Sequence, residues 1–179
     1  MKLRNKQSKN RHGSSRRPWV TALLTTGAVA AAAGIGTAVT DADGHWYRNL
    51  KKPSWQPPRI AFPVVWTGLY GAIAWTSTRT LNQLDREGRD KERRAFSRAL
   101  GANLALNAGW SVLFFGAHKL RAARVESVVL AASSADLVRR VGAASSGRGV
   151  LLAPYAAWTA FAAYLTHDIT RRNADSHSG

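Results

Sequence analysis

Four long stretches without a formal charge dominate this sequence and limit what it can fold into. Short basic blocks separate them, and each is nineteen residues or longer: 19–40, 60–78, 99–117 and 149–167. A helix of that length rises about 28 Å, which matches the hydrocarbon core of a bilayer. The pattern therefore predicts an all-α membrane protein whose helices cross the bilayer several times.

Segment 120–141 is a weaker candidate for a further span. Its longest uncharged run is residues 127–135, and the flanking charges include Glu126 and Asp136. It can span if these end charges reach the lipid headgroups. Otherwise it lies in the membrane interface as an amphipathic helix. The residues alone leave both interpretations open.

The 26 Lys and Arg residues, against 10 Asp and Glu, set the expected orientation. The Arg pair at residues 16–17, followed by an apolar run, is similar to a twin-arginine or ordinary secretory signal peptide. The apolar run is longer than the roughly 7–15 residues of a signal core, so we expect a retained helix. With five spans and the N-terminus inside, the inner segments hold 17 basic residues and the outer segments hold 9. This bias favours an N-terminus inside and a C-terminus outside.

The polar ends of the chain, residues 1–18 and 171–179, are expected to be disordered tails. A basic N-terminal tail is one form of nucleic-acid arm. With membrane helices behind it, contact with anionic headgroups is the favoured role, and we expect no nucleic-acid partner. The transmembrane domain is then 19–170, with spans at about 19–40, 60–78, 99–117, 120–141 and 149–169.

The composition excludes several kinds of site. The chain has no cysteine, which rules out a disulfide scaffold, a thiolate zinc site and a cysteine nucleophile. The five histidines lie in the tails or at span ends, without metal-ligand spacing or the partners of a catalytic triad. We therefore expect no metal site, no conventional catalytic residue and no required cofactor.

The loop after the first stretch contains the most unusual sequence, WYRNLKKPSWQPP at residues 46–58. It holds Trp46, Tyr47, Trp55 and three prolines. Prolines lack an N–H and fix φ, so we expect this piece to be extended and stiff rather than helical. One interpretation is an interfacial aromatic anchor. The density of rings braced by prolines favours a shaped lid over the helical bundle.

Helical periodicity divides the third stretch into two faces. One face carries Asn103, Asn107 and Trp110. The opposite face carries small residues, which allow two backbones to approach closely and predict a homodimer interface. These residues are Gly101, Ala105 and Gly109.

Aromatic residues on other helices are expected to face the same interior as the two amides. Trp66 and Tyr70 share a face of the second stretch, and Trp158 and Ala162 share one of the last; Trp75 points away, towards lipid. Buried amides are costly in hydrocarbon unless they have partners. Their simplest role is interhelical hydrogen bonding, worth about 0.6 kcal/mol each. Together with the aromatic rings they instead outline an aromatic-walled cavity.

Four strings in this order resemble the TspO/MBR family of tryptophan-rich sensory proteins and translocator proteins, which includes the peripheral benzodiazepine receptor. The match extends over about residues 20–170. The strings are WY…L…KP…W…PP from Trp46, F…W…LY from Phe62, LN…WS…LFF from Leu106 and LL…PY…W from Leu151.

The resemblance implies a five-helix transmembrane bundle, often a dimer, in which 120–141 is a span. It implies binding of porphyrins such as haem and protoporphyrin IX, of sterols in some members, and of isoquinoline or benzodiazepine-type drugs. The expected role is transport, sensing or sequestration; the alternative is light-dependent porphyrin degradation by pocket Trp residues. Asn103 is expected at the ligand site because helical periodicity puts it on the inward face of the third stretch. The other ligand-binding residues are those that match the family motifs. Those are Trp46, Trp55, Trp66, Tyr70, Asn107, Trp110, Trp158 and Ala162.

Some details depart from the family pattern or stay open. Leu165-Thr166 stands where the family has Leu-Asn, and Tyr164 lies one residue too far from Arg171 for the proposed cholesterol motif. The cations near the lid are expected to meet porphyrin propionates. A high Ala and Arg content indicates a bacterium and hence its plasma membrane. The cations are Lys51, Lys52 and Arg59, and the histidines left open as axial haem ligands are His45 and His167.

Overall fold

The computed structural model describes residues 17–174, and this part of the chain is made of helices joined by short connections. A one-turn helix, α2, lies in the loop after the first helix, and a π-helical segment, Val112–Gly116, continues α4. Of the two predicted tails, all but residues 17–18 and 171–174 lies outside the described residues. The helices are α1 (Pro18–Val39), α2 (His45–Asn49), α3 (Ala61–Arg86), α4 (Asp90–Ser111), α5 (Leu120–Ala144) and α6 (Ser146–Arg172).

The five long helices form a closed ring in the order α1, α3, α6, α5, α4 and back to α1. Buried apolar residues form two clusters inside it. One surrounds Ile73, Leu137 and Tyr155, and the other surrounds Phe114 and Leu165. Since the second cluster includes residues of the loop between α1 and α3, it lies at the end of the bundle that carries this loop.

Three of the described helices are long and apolar enough to cross a membrane: α1, α4 with its π segment, and α6. α3 and α5 are as long, at 26 and 25 residues, but they carry more polar and charged residues. They still expose apolar side chains on the outside of the ring, with Val64 of α3 66% exposed and Val125 of α5 63% exposed.

The helices on either side of the basic segment 79–98 are longer than the uncharged stretches. α3 continues to Arg86 and α4 begins at Asp90, so this segment is largely helical. An uncharged stretch identifies only the apolar part of a helix. The charged residues that follow it in solvent can continue the same backbone hydrogen bonds, so the helix extends beyond the uncharged stretch. Gly88 has a φ of 66° in the intervening turn, a conformation that glycine adopts without strain. At the other end of the chain, α6 continues to Arg172, two residues into the predicted tail.

α5 and α6 form a tight hairpin connected through Ser145 alone. Gly149 faces Gly142 across the hairpin so closely that a Cβ on Gly149 would lie 2.7 Å from the Gly142 Cα atom. At the other end, the Thr170 hydroxyl donates a hydrogen bond to the Leu120 carbonyl at 3.3 Å. The two helices therefore stay paired along their length.

Candidate ligand site

The loop motif at residues 46–58 begins with a helical turn, so the expectation that all of it is extended was wrong. Residues His45–Asn49 form α2. The physical reason is that the first proline is Pro53, so the N–H groups before it remain free to form a helical turn. Beyond Leu50 the chain has no regular structure until α3 begins at Ala61.

Hydrogen bonds around Tyr47 hold the loop motif together. Gln56 donates from Nε2 to the Tyr47 hydroxyl at 3.2 Å, and Lys52 donates from Nζ to the Tyr47 carbonyl at 2.5 Å. Burial raises the pKa of Tyr47, an effect that the Gln56 hydrogen bond and the Arg59 charge partly offset. Burial and the Arg59 charge lower the pKa of Lys52. The loop is thus an ordered piece of structure.

Asn173 fixes this loop to the end of α6. Its Oδ1 atom accepts a hydrogen bond from the Lys51 backbone N–H at 3.0 Å, and its Nδ2 donates to the Lys51 carbonyl at 3.0 Å. The sequence analysis missed this residue because an asparagine in a polar tail carries no recognisable signal. Its partner lies 122 residues away in the chain.

The two tryptophans of the loop contact different helices. Trp46 stacks on His118 with the ring centroids 4.1 Å apart, and its edge meets Phe114 at 5.6 Å. Trp55 stacks on Tyr164 of α6 at 5.3 Å. The loop therefore lies across the ends of α4 and α6, as a lid would.

The inward aromatic residues lie in two adjoining groups, and Trp158 is the link between them. In one group, Trp66 stacks on Tyr70 at 5.3 Å. In the other, Trp110 stacks on Phe114 at 5.3 Å. Phe62 of the second group meets Trp158 edge-on at 5.8 Å. We call these residues, with Trp46 and Trp55, the aromatic site.

The two amides on the inward face of α4 both make interhelical hydrogen bonds. Asn107 accepts from the Tyr70 hydroxyl at 2.7 Å. Asn103 accepts from the Tyr155 hydroxyl at 2.7 Å and donates to Ser134 at 3.1 Å. The amides therefore have the simpler of the two expected roles, which is interhelical hydrogen bonding. Direct contact of Asn103 or Asn107 with a ligand stays a prediction.

Several buried polar atoms near the aromatic rings have no hydrogen-bond partner within residues 17–174. They include the indole N–H groups of Trp110 and Trp158 and both carboxylate oxygens of Glu126. An unpaired polar group in the interior is costly. These atoms can therefore form hydrogen bonds with a ligand, the indoles as donors and the carboxylate as acceptor.

The sequence analysis considered Glu126 only as a charge flanking a weak span. A signal was nevertheless present, since Glu126 lies between Ala123 and Leu130 at helical spacing, and both are buried. Asn103 of α4 bonds Ser134 of α5 in an antiparallel pair. Trp110 lies about two turns after Asn103 in α4, and Glu126 lies about two turns before Ser134 in the antiparallel α5. Trp110 and Glu126 are therefore at the same level of the bundle.

The comparisons with known proteins decide the family. The model of the TspO/MBR family matches residues 21–172, which include most of α1 and all of the remaining helices. The chain belongs to the TspO/MBR family. This confirms the resemblance seen in the four sequence strings, and it makes the chain an all-helical membrane protein.

Relatives of this TspO/MBR protein occur in mammals and bacteria. The translocator protein of Ovis aries is 35% identical over 166 residues, which cover 90% of this chain and 95% of the relative. The tryptophan-rich sensory protein of Cereibacter sphaeroides is 32% identical over 152 residues, covering 85% and 92%. The tryptophan-rich protein TspO of Chlorobaculum tepidum is 33% identical over 156 residues, covering 86% and 96%. The similarity therefore extends over nearly the whole of each protein.

The small residues of α4 lie on the outside of the TspO/MBR bundle. Gly101 and Ala105 are exposed, and Gly109 is half-buried. A Cβ built on Gly101 or Gly109 would meet no other atom within 4 Å. This face is therefore open to a neighbouring helix from another molecule.

A cavity of about 530 Å³ opens at the lid end of the TspO/MBR bundle and borders the aromatic site at His118, which stacks on Trp46. It lies where the turn between α4 and α5 meets the end of α6. The lining residues are His118, Lys119, Leu120, Arg121, Ala122, Thr170, Asn173 and Ala174.

Proposed function

We propose that this TspO/MBR protein binds porphyrins such as haem and protoporphyrin IX in the aromatic site, for transport, sensing or sequestration. The observation that carries the proposal is the pair of buried indole N–H groups of Trp110 and Trp158, which have no partner within residues 17–174 and lie beside closely packed aromatic rings. Flat rings favour a flat macrocycle, and unpaired donors favour a ligand with acceptors. The names of the relatives, translocator and tryptophan-rich sensory protein, agree with this class of function. Sterol-like and drug-like hydrophobic molecules are further candidates for the same site.

The cations near the lid differ in their freedom to meet a propionate. Arg59 forms an ion pair with Asp43, and Lys52 is bound to the Tyr47 carbonyl. Lys51 is exposed, and within residues 17–174 its hydrogen bonds are made by its backbone. We therefore propose Lys51 as the propionate partner among the three predicted cations.

Titration of the purified protein with protoporphyrin IX and haem tests the proposal. We expect saturable quenching of Trp fluorescence in the dark with a stable porphyrin Soret band. Linear, non-saturating quenching would contradict binding at a defined site. Illumination of the same samples tests the alternative function. Faster loss of the Soret band than in protein-free detergent would favour light-dependent degradation by the Trp residues.

We further propose five spans with the N-terminus inside, in a bacterial plasma membrane. The exposed apolar side chains of α3 and α5 support these two helices as spans, since such surfaces are stable against lipid. The excess of basic residues in the expected inner segments, 17 against 9, supports the orientation.

Cysteine labelling tests whether α5 crosses the membrane. Because the chain has no cysteine, Lys119→Cys and Ser145→Cys each place one thiol at one end of α5. We expect a membrane-impermeant maleimide to label Lys119→Cys from outside intact cells and Ser145→Cys only in inverted vesicles. Labelling of both from the same side would mean that α5 lies in the interface.

We propose a homodimer formed through the small residues Gly101, Ala105 and Gly109 of α4. Ala105→Leu should force the two backbones apart and shift a detergent-solubilised dimer towards monomer in size-exclusion chromatography with light scattering. Ala132→Leu makes the same change at an exposed alanine of α5 and serves as the control. An unchanged distribution for Ala105→Leu would remove the support for this interface.

A further inference from the structure

We infer that the 530 Å³ cavity at the lid end of the bundle binds the headgroup of an anionic phospholipid. The cavity borders the aromatic site, because its lining residue His118 stacks on Trp46. The two differ in their walls: five of the eight residues that line the cavity are cationic or polar and three are apolar, whereas the aromatic site is walled by rings.

In the part of the chain that the structure describes, no acidic side chain balances the positive charge at this cavity. Lys119 and Arg121 are exposed and form no ion pair within residues 17–174. Within residues 17–174, no Asp or Glu lines the cavity. Asp168, in the last part of α6, is paired with Arg172 at 3.2 Å. An anionic oxygen group would therefore be the natural partner of these cations.

The rim of the cavity is a built structure. At the end of the π segment, the Ala117 N–H donates to the Val112 carbonyl at 2.7 Å, and the Lys119 N–H donates to the Leu113 carbonyl at 2.9 Å. Between them His118 adopts a positive φ of 56° and stacks on Trp46. The turn is thus fixed on both sides, so the backbone that carries Lys119 is already in place at the cavity before a ligand arrives.

An apolar strip continues from the cavity along the outer face of α5. Ala122 lines the cavity, and Val125 and Val129 follow it at helical spacing. Both valines are exposed. A free phosphate would use only the cations, whereas a phospholipid would place its phosphate in the cavity and an acyl chain on the strip. This combination favours a lipid over a soluble anion.

The inference rests on the proposed span of α5, because the strip must face hydrocarbon, but it does not depend on porphyrin binding. Its test is a titration of the purified protein in neutral detergent with short-chain phosphatidylglycerol. Phosphatidylcholine of the same chain length and glycerol phosphate are the comparison ligands. We expect phosphatidylglycerol to bind at least tenfold more tightly than either.

Two double variants locate the site. Lys119→Gln with Arg121→Gln should lower the affinity for phosphatidylglycerol roughly thirtyfold, since each of the two basic residues near a lipid surface contributes about 1 kcal/mol. Arg48→Gln with Arg171→Gln removes the same charge at the same end but outside the cavity, and should change the affinity less than twofold.

Three results would overturn the inference. Equal losses in the two double variants would mean diffuse attraction to anionic lipid rather than a site. Glycerol phosphate binding as tightly as phosphatidylglycerol would mean a soluble-anion site. Equal affinity for phosphatidylcholine would mean that the cations take no part. Porphyrin titration of the same samples separates failure of the lipid site from failure of the aromatic site, and cysteine labelling reports on the span of α5 separately.

Discussion

Replacing Trp110 or Trp158 with alanine should weaken porphyrin binding about tenfold, whereas Trp75→Ala should leave the affinity unchanged. Trp110 and Trp158 are partly buried among other rings, and a well-placed aromatic contact contributes about 0.5–1.5 kcal/mol beyond area burial. Trp75 is 48% exposed on the outside of the bundle, where the Arg79 guanidinium lies over its ring at 5.6 Å. Fluorescence titration gives the affinities, and circular dichroism checks that the helical content is retained.

Phenylalanine variants separate stacking from hydrogen bonding at the same positions. Trp110→Phe and Trp158→Phe keep an aromatic face but remove the unpaired indole N–H. We expect a smaller loss of affinity than for alanine, with the remaining loss due to the missing donor. Equal losses for all three alanine variants, together with lower melting temperatures, would mean that these rings are structural and that the ligand binds elsewhere.

Asn103→Ala should lower the free energy of unfolding by about 2 kcal/mol, since it removes three interhelical hydrogen bonds at about 0.6 kcal/mol each. One of the three is the 2.7 Å bond that the fully buried Tyr155 hydroxyl donates to Asn103. Tyr155→Phe removes one of these bonds and should cost about 1 kcal/mol. Equilibrium unfolding by SDS in mixed micelles measures both changes.

Asn82→Ala is the matched control for the asparagine variant. The Asn82 side chain is half-buried and donates a long hydrogen bond, 3.4 Å, to the Pro18 carbonyl. Its loss should cost less than 0.5 kcal/mol. If Asn103→Ala instead lowers porphyrin affinity and leaves the unfolding free energy unchanged, Asn103 is the ligand contact that its position on the helix face suggested.

The faces of the long helices could be predicted from the sequence because each helix repeats its environment every 3.6 residues. Asn103 and Asn107 are buried as expected, and Gly101 and Ala105 are exposed. One face of α4 carries amides that need partners inside the bundle, and the other carries small residues. The packing of the neighbouring helices agrees with this assignment of faces. The periodic part of the aromatic site was predictable for the same reason.

Three features could not be read in this way. The helical turn of α2 was missed because the prolines that follow it dominated the interpretation. Asn173 was missed because its role depends on Lys51, far away in the chain. The spacing of Ala123 and Leu130 places Glu126 on one face of α5, but the absence of a partner for its carboxylate within residues 17–174 depends on which helices pack against that face. The spacing of residues along one helix predicts which side chains share a face of that helix. A contact between residues that are far apart in the chain can be found only from the assembled bundle.

The one-residue connection between α5 and α6 has a consequence for how the chain enters the membrane during synthesis. α6 is apolar enough to partition into lipid by itself, whereas α5 falls short of that composition. With Gly142 and Gly149 in close contact, the two helices can pair as soon as both have emerged from the ribosome. We then expect the translocon to release them laterally as one unit, with the hydrophobic free energy of α6 carrying its more polar neighbour into the bilayer.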